Sequence, residues 1–250
     1  MGITIKTPEE IKIMRASGQI LAECLEELGK QSKAGVSTFE LDQFAETFIR
    51  GKGGVPSFKG YQGFPGTLCT NVNDTIVHGI PRQDEILKDG DLFTYDCGVL
   101  YKEFHSDAAR TVAIGEITPE NQKLLDTAYR TLYKAIDMVR PGLHLGDLSK
   151  AIQEEVESAG YHIIQDLTGH GIGRKLHEAP VILNYFDGQK GPILKSGMTI
   201  AIEPIFAVDS GEMRTLEDDW TIKTPSGSMA IQVENTVLVT DSGVEILTER

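Results

Sequence analysis

The sequence predicts an α+β fold in which a curved, mostly antiparallel sheet is covered on one face by two pairs of helices. Three observations point there. Two helix pairs open on matching start signals, strand-forming text follows each pair, and no low-complexity segment or linker divides the chain.

Thr7-Pro8-Glu9-Glu10 starts the first helix: Thr7 can cap, Pro8 suits the first turn and Glu10 completes a capping box. Ile11, Met14, Leu21, Leu25 and Leu28 then recur at helical spacing until Gly29. A second box, Ser37-Thr38-Phe39-Glu40, opens a shorter helix with Leu41, Phe44, Ala45 and Phe48 on its apolar face, ending near Gly51. Asp91 to Leu100 and Asp107 to Gly115 are rich in β-branched and aromatic residues and read as strands. Thr118-Pro119-Glu120 opens the third helix, which carries Leu124, Leu125, Ala128, Leu132, Ala135, Ile136 and Val139 and stops at Pro141-Gly142. A fourth runs from about Asp147 to Ala159, and Thr199 to Val208 and Met229 to Thr240 read as strands again. Two anchors recur. Thr-Pro-Glu at Thr7 returns 111 residues later at Thr118, and the pattern from Gly35 to Leu41 returns 107 residues later at Gly142 to Leu148. The agreement predicts one domain, 1–250, made of two related halves, about 1–116 and 117–250.

Composition narrows the function. Of 250 residues 40% are hydrophobic and 24% charged, an ordinary globular balance that excludes disordered and collagen-like chains. Lys and Arg number 24 against 37 Asp and Glu, a net charge of −13 with no basic cluster, which excludes nucleic-acid binding as the main role. Cys24, Cys69 and Cys97 are scattered and lack CxxC spacing, as expected of free thiols in a reducing compartment. No signal-peptide core follows Met1, and the apolar stretch Met198 to Val208 is broken by Glu203-Pro204 and too short to span a bilayer. A cytoplasmic protein without membrane contact is expected.

The chain has no GxSxG elbow, no P-loop and no HExxH. Gly169-His170-Gly171-Ile172-Gly173 is glycine-rich but does not have dinucleotide-binding spacing. Asp96 and Asp107 are more informative. In a hairpin turning near Tyr101-Lys102 they lie directly opposite, with Cβ atoms about 5 Å apart. Opposed carboxylates repel unless a cation sits between them; in another register both are solvated strand ends. Glu203 and Glu234 lie inside apolar strands, where a carboxylate is costly unless paired with Lys or Arg, or metal-bound. His170 sits among glycines that let backbone crowd a site, although a lone histidine is more often a structural hydrogen bonder. Together the five form an oxygen-rich set that suits a binuclear site for Mn²⁺, Fe²⁺, Co²⁺ or Zn²⁺.

These residues stand in motifs that resemble the type I methionine aminopeptidases over essentially the whole chain. The carrying segments are Asn73 to Pro81 (NDTIVHGIP), Asp96-Cys97-Gly98, His105-Ser106-Asp107, Gly169 to Arg174, His177-Glu178-Ala179-Pro180, Glu203-Pro204 and Glu234-Asn235-Thr236. The resemblance implies a pita-bread fold and a metal-dependent exopeptidase that removes the initiator methionine from nascent polypeptides with small second residues. It implies two divalent metal ions held by Asp96, Asp107, His170, Glu203 and Glu234, with Asp107 and Glu234 bridging. By the same likeness a metal-bridged hydroxide attacks the first peptide bond, Glu203 accepts and donates the proton, and His78 and His177 contact the scissile peptide. Phe58, Tyr61, Phe64, Cys69, Leu176 and Trp220, with the two histidines, are expected to bind substrate. His105 reads as structural and Cys97 as no ligand. Leu176 stands where the family commonly has an aromatic, and Val77 where it often has cysteine. Expected partners are nascent N-termini, with transient ribosome contact as a further possibility, no nucleic acid, and a monomeric state. A proline-directed aminopeptidase would carry an additional N-terminal domain, and a non-catalytic relative would have lost metal ligands; this chain keeps all five.

Overall fold

A computed structural model describes residues 2–250. The four helices are α1 (Pro8–Gln31), α2 (Thr38–Gly51), α3 (Pro119–Met138) and α4 (Leu145–Ser158). Strands β1 (Val55–Pro56), β2 (Leu68–Val72), β3 (Thr75–Val77), β4 (Leu92–Tyr101) and β5 (Phe104–Ala113) lie between α2 and α3. After α4 come β6 (His162–Ile163), β7 (Thr168–Gly171), β8 (Glu178–Leu183), β9 (Thr199–Ile202) and β10 (Ile205–Ala207). The series closes with β11 (Arg214–Thr215), β12 (Ile222–Lys223), β13 (Ala230–Gln232), β14 (Asn235–Val239) and β15 (Val244–Ile246). Every strand pair is antiparallel.

The start signals act as expected. Thr7 and Ser37 each accept from the backbone N–H three residues on, and Glu10 and Glu40 return the bond. Thr118 caps α3 in one direction only, because Asn121 has no carboxylate to reach back. The expected stop at Gly29 is corrected: α1 continues to Gln31 and is capped by Ser32. Gly29 is there for packing, since a Cβ on it would lie 2.9 Å from the Tyr95 hydroxyl.

One sheet joins β5, β4, β1 and β2, and a second runs β15-β14-β9-β7-β8. Strand alternation sorts the faces of β4. Phe93, Tyr95, Cys97 and Val99 turn toward α1 and α2 and join a core with Leu21, Leu25, Leu28, Leu41 and Ile49. Thr94, Asp96 and Gly98 turn the other way. The helices α3 and α4 cover the second sheet, with Leu132, Leu148 and Ile152 packed against Ile200, Ile202 and Val237. The two sheets meet where the Thr236 hydroxyl accepts from the Asp107 N–H at 3.0 Å and donates to the Asp107 carbonyl at 2.7 Å. Behind this seam Arg110 donates to the carbonyls of Glu234 at 2.6 Å and Thr248 at 2.8 Å. Nearby, α1 rides so close to residue 247 that a Cβ on Gly18 would stand 2.1 Å from the Leu247 carbonyl oxygen. Among the described residues no helix is long and apolar enough to cross a membrane, and all three cysteines are free and buried.

Candidate metal centre and its cavity

The aspartate hairpin corrects the expected register. The chain turns at Lys102-Glu103, both with positive φ (46° and 71°), the conformation of a two-residue hairpin turn normally given to Asn-Gly. Asp96 therefore pairs with Ala109 and Asp107 with Gly98. The aspartates are diagonal neighbours on one face rather than opposed, because a two-residue slip preserves the side-chain face. Each has a small residue across the ladder, so space opens in front of both carboxylates. Gly98 also cannot grow backward: a Cβ there would lie 2.7 Å from Ser57 Cβ and 2.9 Å from Phe58 Cε1.

His170 projects from β7, which lies between β8 and β9. Its glycine neighbours are required by crowding. A Cβ on Gly169 would sit 2.5 Å from the Ala201 carbonyl oxygen, and one on Gly171 would sit 2.2 Å from that of Ala179. His170 Nδ1 lies 2.9 Å from the Gly171 carbonyl oxygen. A carbonyl only accepts, so Nδ1 carries the proton and Nε2 offers a lone pair. Nε2 faces Asp107 Oδ2 at 3.8 Å and Glu203 Oε1 at 3.6 Å. Burial, with His177 adding, pulls the His170 pKa down to about 4, so the ring is neutral.

The two glutamates occupy interruptions. Thr199 to Val208, expected as one strand, breaks at Glu203-Pro204, and Met229 to Thr240 breaks at Val233-Glu234. Ladder partners on either side of these gaps, Ile202 with Asn235 and Ile205 with Gln232, bring Glu203 and Glu234 opposite one another. The backbone stays bonded through the gaps: the Glu234 N–H donates to the Ala109 carbonyl at 3.0 Å, and Asn184 Nδ2 donates to the Glu203 carbonyl at 2.9 Å.

All five side chains are buried. Burial first, and mutual repulsion second, holds the carboxyls of Asp107, Glu203 and Glu234 well above their ordinary range. Burial pushes Asp96 up to about 7. Asp96 Oδ1, Asp107 Oδ1 and Glu234 Oε1 have no hydrogen-bond partner among the described residues. Donor atoms of Asp107, His170 and Glu234 lie within 4.8 Å of one another. Orphaned carboxylate oxygens converging on a histidine lone pair fit a divalent cation, because positive charge supplies what no protein donor does here.

The cluster forms one wall of a cavity of about 340 Å³. Phe58, Tyr61, Phe64, Cys69, His78, Leu176, His177 and Trp220 all line it, so the structure gathers every anticipated metal and substrate residue into one place. Phe64 and Trp220 meet edge to face at 5.1 Å. Tyr61 Oη lies 3.1 Å from His177 Nδ1, and the His177 ring stands 4.4 Å from that of His170. His78 takes a positive φ of 58°. Next to it, Gly79 bonds Asn71 and Thr70, and a Cβ on Gly79 would fall 2.0 Å from the Thr70 carbonyl oxygen. Burial lowers the His78 pKa to about 4 and also lowers that of His177. His105 lies outside the cavity lining, bonded through Nδ1 to Ser57 at 2.8 Å, and Cys97 faces the helices.

Two residues of the centre are given no role in the sequence reading. Gln232 Nε2 reaches Asp96 Oδ2 at 3.3 Å and Glu203 Oε2 at 3.5 Å, bridging two carboxylates. It lies two positions before Glu234 in the same apolar stretch of sequence, so the cost argument applied to Glu234 would have found it. Thr236 fixes the Asp107 backbone, and nothing local in the sequence marks that contact.

The profile of metallopeptidase family M24 matches residues 12–241. The methionine aminopeptidase of Clostridium acetobutylicum is 45% identical over 246 residues, covering 98% of both chains. The crystal structure of the methionine aminopeptidase from Thermotoga maritima is similar at a TM-score of 0.98 and 39% identity, over 100% of both chains. A prolidase from Pyrococcus furiosus gives a TM-score of 0.81 at 25% identity, and the match covers 98% of this chain but 65% of the prolidase.

Proposed function

This chain belongs to metallopeptidase family M24, and from that premise we infer that its cavity removes the N-terminal methionine of polypeptides. One observation carries the assignment of the site: four buried carboxylates, three of them with an orphaned oxygen, share a wall with a neutral histidine, at the end of an aromatic and sulfur-lined cavity. Asp96, Asp107, His170, Glu203 and Glu234 would hold one or two divalent ions, of the Mn²⁺, Fe²⁺, Co²⁺ or Zn²⁺ class. Such ions supply Lewis acidity and a water acidified toward neutral pH.

The chain's own groups account for the remaining steps. Glu203 takes the proton of the attacking water and returns it to the leaving amine. His78 and His177, kept neutral by burial, present N–H donors where charge develops on the scissile carbonyl oxygen. Phe58, Phe64, Trp220 and Tyr61 offer ring faces to a thioether, each such contact being worth about 0.3–1.5 kcal/mol. Asp107, on β5, and Glu234, in the gap between β13 and β14, would both be among the groups that hold the ions.

The substrates in this reading are N-termini of nascent polypeptides in the cytoplasm. The same reading treats the chain as one catalytic domain of two related halves. Matching bridges just before the second helix of each pair, Ser37 with Ile86 and His144 with Ile193, support it. The test is hydrolysis by metal-loaded protein of Met-Ala-Ser, Met-Lys-Ser and N-acetyl-Met-Ala-Ser. Cleavage of the first alone is expected; equal cleavage of all three refutes the reading.

A further inference from the structure

We propose that Lys6 is a positioning residue for His177 and Leu176, acting through a buried ion pair with Glu178. The proposal rests on the reading of His177 as a substrate-facing donor. Leu176 and His177 ride on the irregular segment between β7 and β8 and line the cavity from it. Glu178 follows His177 directly, so the two share a peptide unit.

Glu178 is held from both oxygens. Oε1 accepts from the Lys175 N–H at 3.1 Å, closing the segment on itself. Oε2 accepts from Lys6 Nζ at 2.9 Å and from Thr4 Oγ1 at 2.6 Å. The Lys6 side chain is 4% exposed and that of Glu178 11%, so solvent screens this pair little. Gly173 exists to admit it: a Cβ there would lie 2.6 Å from Lys6 Cε and 2.8 Å from Glu178 Oε1. Lys6 is itself anchored. Its N–H donates to the Gly197 carbonyl at 2.8 Å, and Thr7 caps α1 immediately after it. Ion pairs from Arg174 to Glu10 and Glu103 also reach the segment, but they involve an exposed guanidinium and hold it weakly. Without Lys6, the buried Glu178 carboxylate loses the cation that offsets its charge. It then turns toward water and takes the adjoining His177 peptide with it.

The test compares wild type, Lys6→Met, Lys6→Arg and His177→Ala, each loaded with Mn²⁺. The readouts are kcat and KM on Met-Ala-Ser, Mn²⁺ affinity by calorimetry, and the rate of tryptic cleavage after Arg174. Lys6→Met is expected to lower kcat about ten- to a hundredfold, the size of effect that a misplacement near 1 Å produces, with Mn²⁺ affinity unchanged. Tryptic cleavage after Arg174 should accelerate, and Lys6→Arg should restore most of both properties. The proposal falls if folded Lys6→Met keeps its kcat, if Mn²⁺ affinity drops in parallel, or if Lys6→Arg behaves like Lys6→Met. If Lys6→Met does not fold, Thr4→Val, which removes the second donor to Glu178 and with it the hydroxyl that accepts from Lys6 Nζ, must show the same pattern at smaller size; unchanged cleavage and kcat there overturn the proposal. Full kcat in His177→Ala would instead overturn the reading of His177, and the cleavage rate would still decide whether Lys6 holds the segment.

Discussion

Asp96 and Asp107 project from an unbroken ten-residue ladder, whereas Glu203 and Glu234 sit in gaps where two ladders stop. The hairpin places its carboxylates by regular geometry, and small residues across the ladder clear the space. The broken strands place theirs by exception: Pro204 ends one ladder, and single hydrogen bonds from Asn184, Arg110 and the Glu234 N–H hold each gap. A donor on a continuous strand is fixed by many small contacts. A donor in a gap depends on a few individual hydrogen bonds.

Removing the metal tests both sides at once and should have the largest effect. Chelation is expected to abolish peptidase activity, and a divalent transition metal should restore it. Activity surviving in metal-stripped protein refutes the site. Stability should respond as well. At these four carboxyls, folded-state pKa values raised by burial mean that the folded, metal-free protein binds more protons than the unfolded chain, whereas the buried His78, His170 and His177, whose pKa values are lowered, bind fewer. The carboxyls' contribution to stability is then greatest at acid pH and is lost as pH rises through the raised values, for Asp96 near 7, while the histidines' opposite contribution is complete above the ordinary histidine value near 6.5. Thermal unfolding of metal-free protein between pH 7 and 8, where the histidines are neutral folded or unfolded, should show a falling Tm, and added Mn²⁺ should remove the slope. A Tm that rises with pH over that range in metal-free protein contradicts this assignment.

Asp107→Asn and Glu234→Gln separate the two modes. Each should lower metal affinity by more than about a hundredfold, because loss of groups that merely support ligands costs 10–100-fold. The Asn variant should keep its fold, since the Thr236 bonds reach only the Asp107 backbone. If calorimetry shows the two variants binding as wild type does, neither side is a ligand.

Gly98→Ala attacks the hairpin without touching a carboxylate. The new methyl must push Ser57 and Phe58, and overpacking of this kind costs about 1–3 kcal/mol. A lower Tm and a raised KM for methionyl peptides are expected; an unchanged KM would separate Phe58 from substrate binding. Leu176→Phe should be the mildest change. It adds a ring beside His177, worth at most about 1.5 kcal/mol toward a thioether, or roughly tenfold. The kcat/KM ratio for peptides beginning with Met over norleucine should rise while metal content stays fixed, and a ratio that does not move removes Leu176 from the pocket.

The same contrast explains what could be read in advance. The helices were legible because their caps are local, four-residue events, and Gly29 misled only because its reason lies on Tyr95, far along the chain. The hairpin register was missed by two residues because Lys102-Glu103 takes a turn conformation that those side chains rarely choose. The strand breaks at Glu203 and Glu234 were hidden by continuous β-branched text, and Gln232 was hidden beside a louder neighbour. His78, His177 and the cavity aromatics carry no spacing signal of their own; family likeness alone singled them out, since their convergence depends on three separated segments.

The tie between α1 and residue 247 bears on the order of synthesis. Asp96 and Asp107 leave the ribosome well over a hundred residues before Glu234, and Gly18 waits longer still for Leu247 to close against it. The seam at Arg110 likewise needs Thr248. A growing chain can thus form its capped helices early, yet the ion-binding set is incomplete until the late strands emerge. Metal capture is thereby timed to the finished fold, and a stalled chain presents two aspartates without the partners that would let them keep an ion.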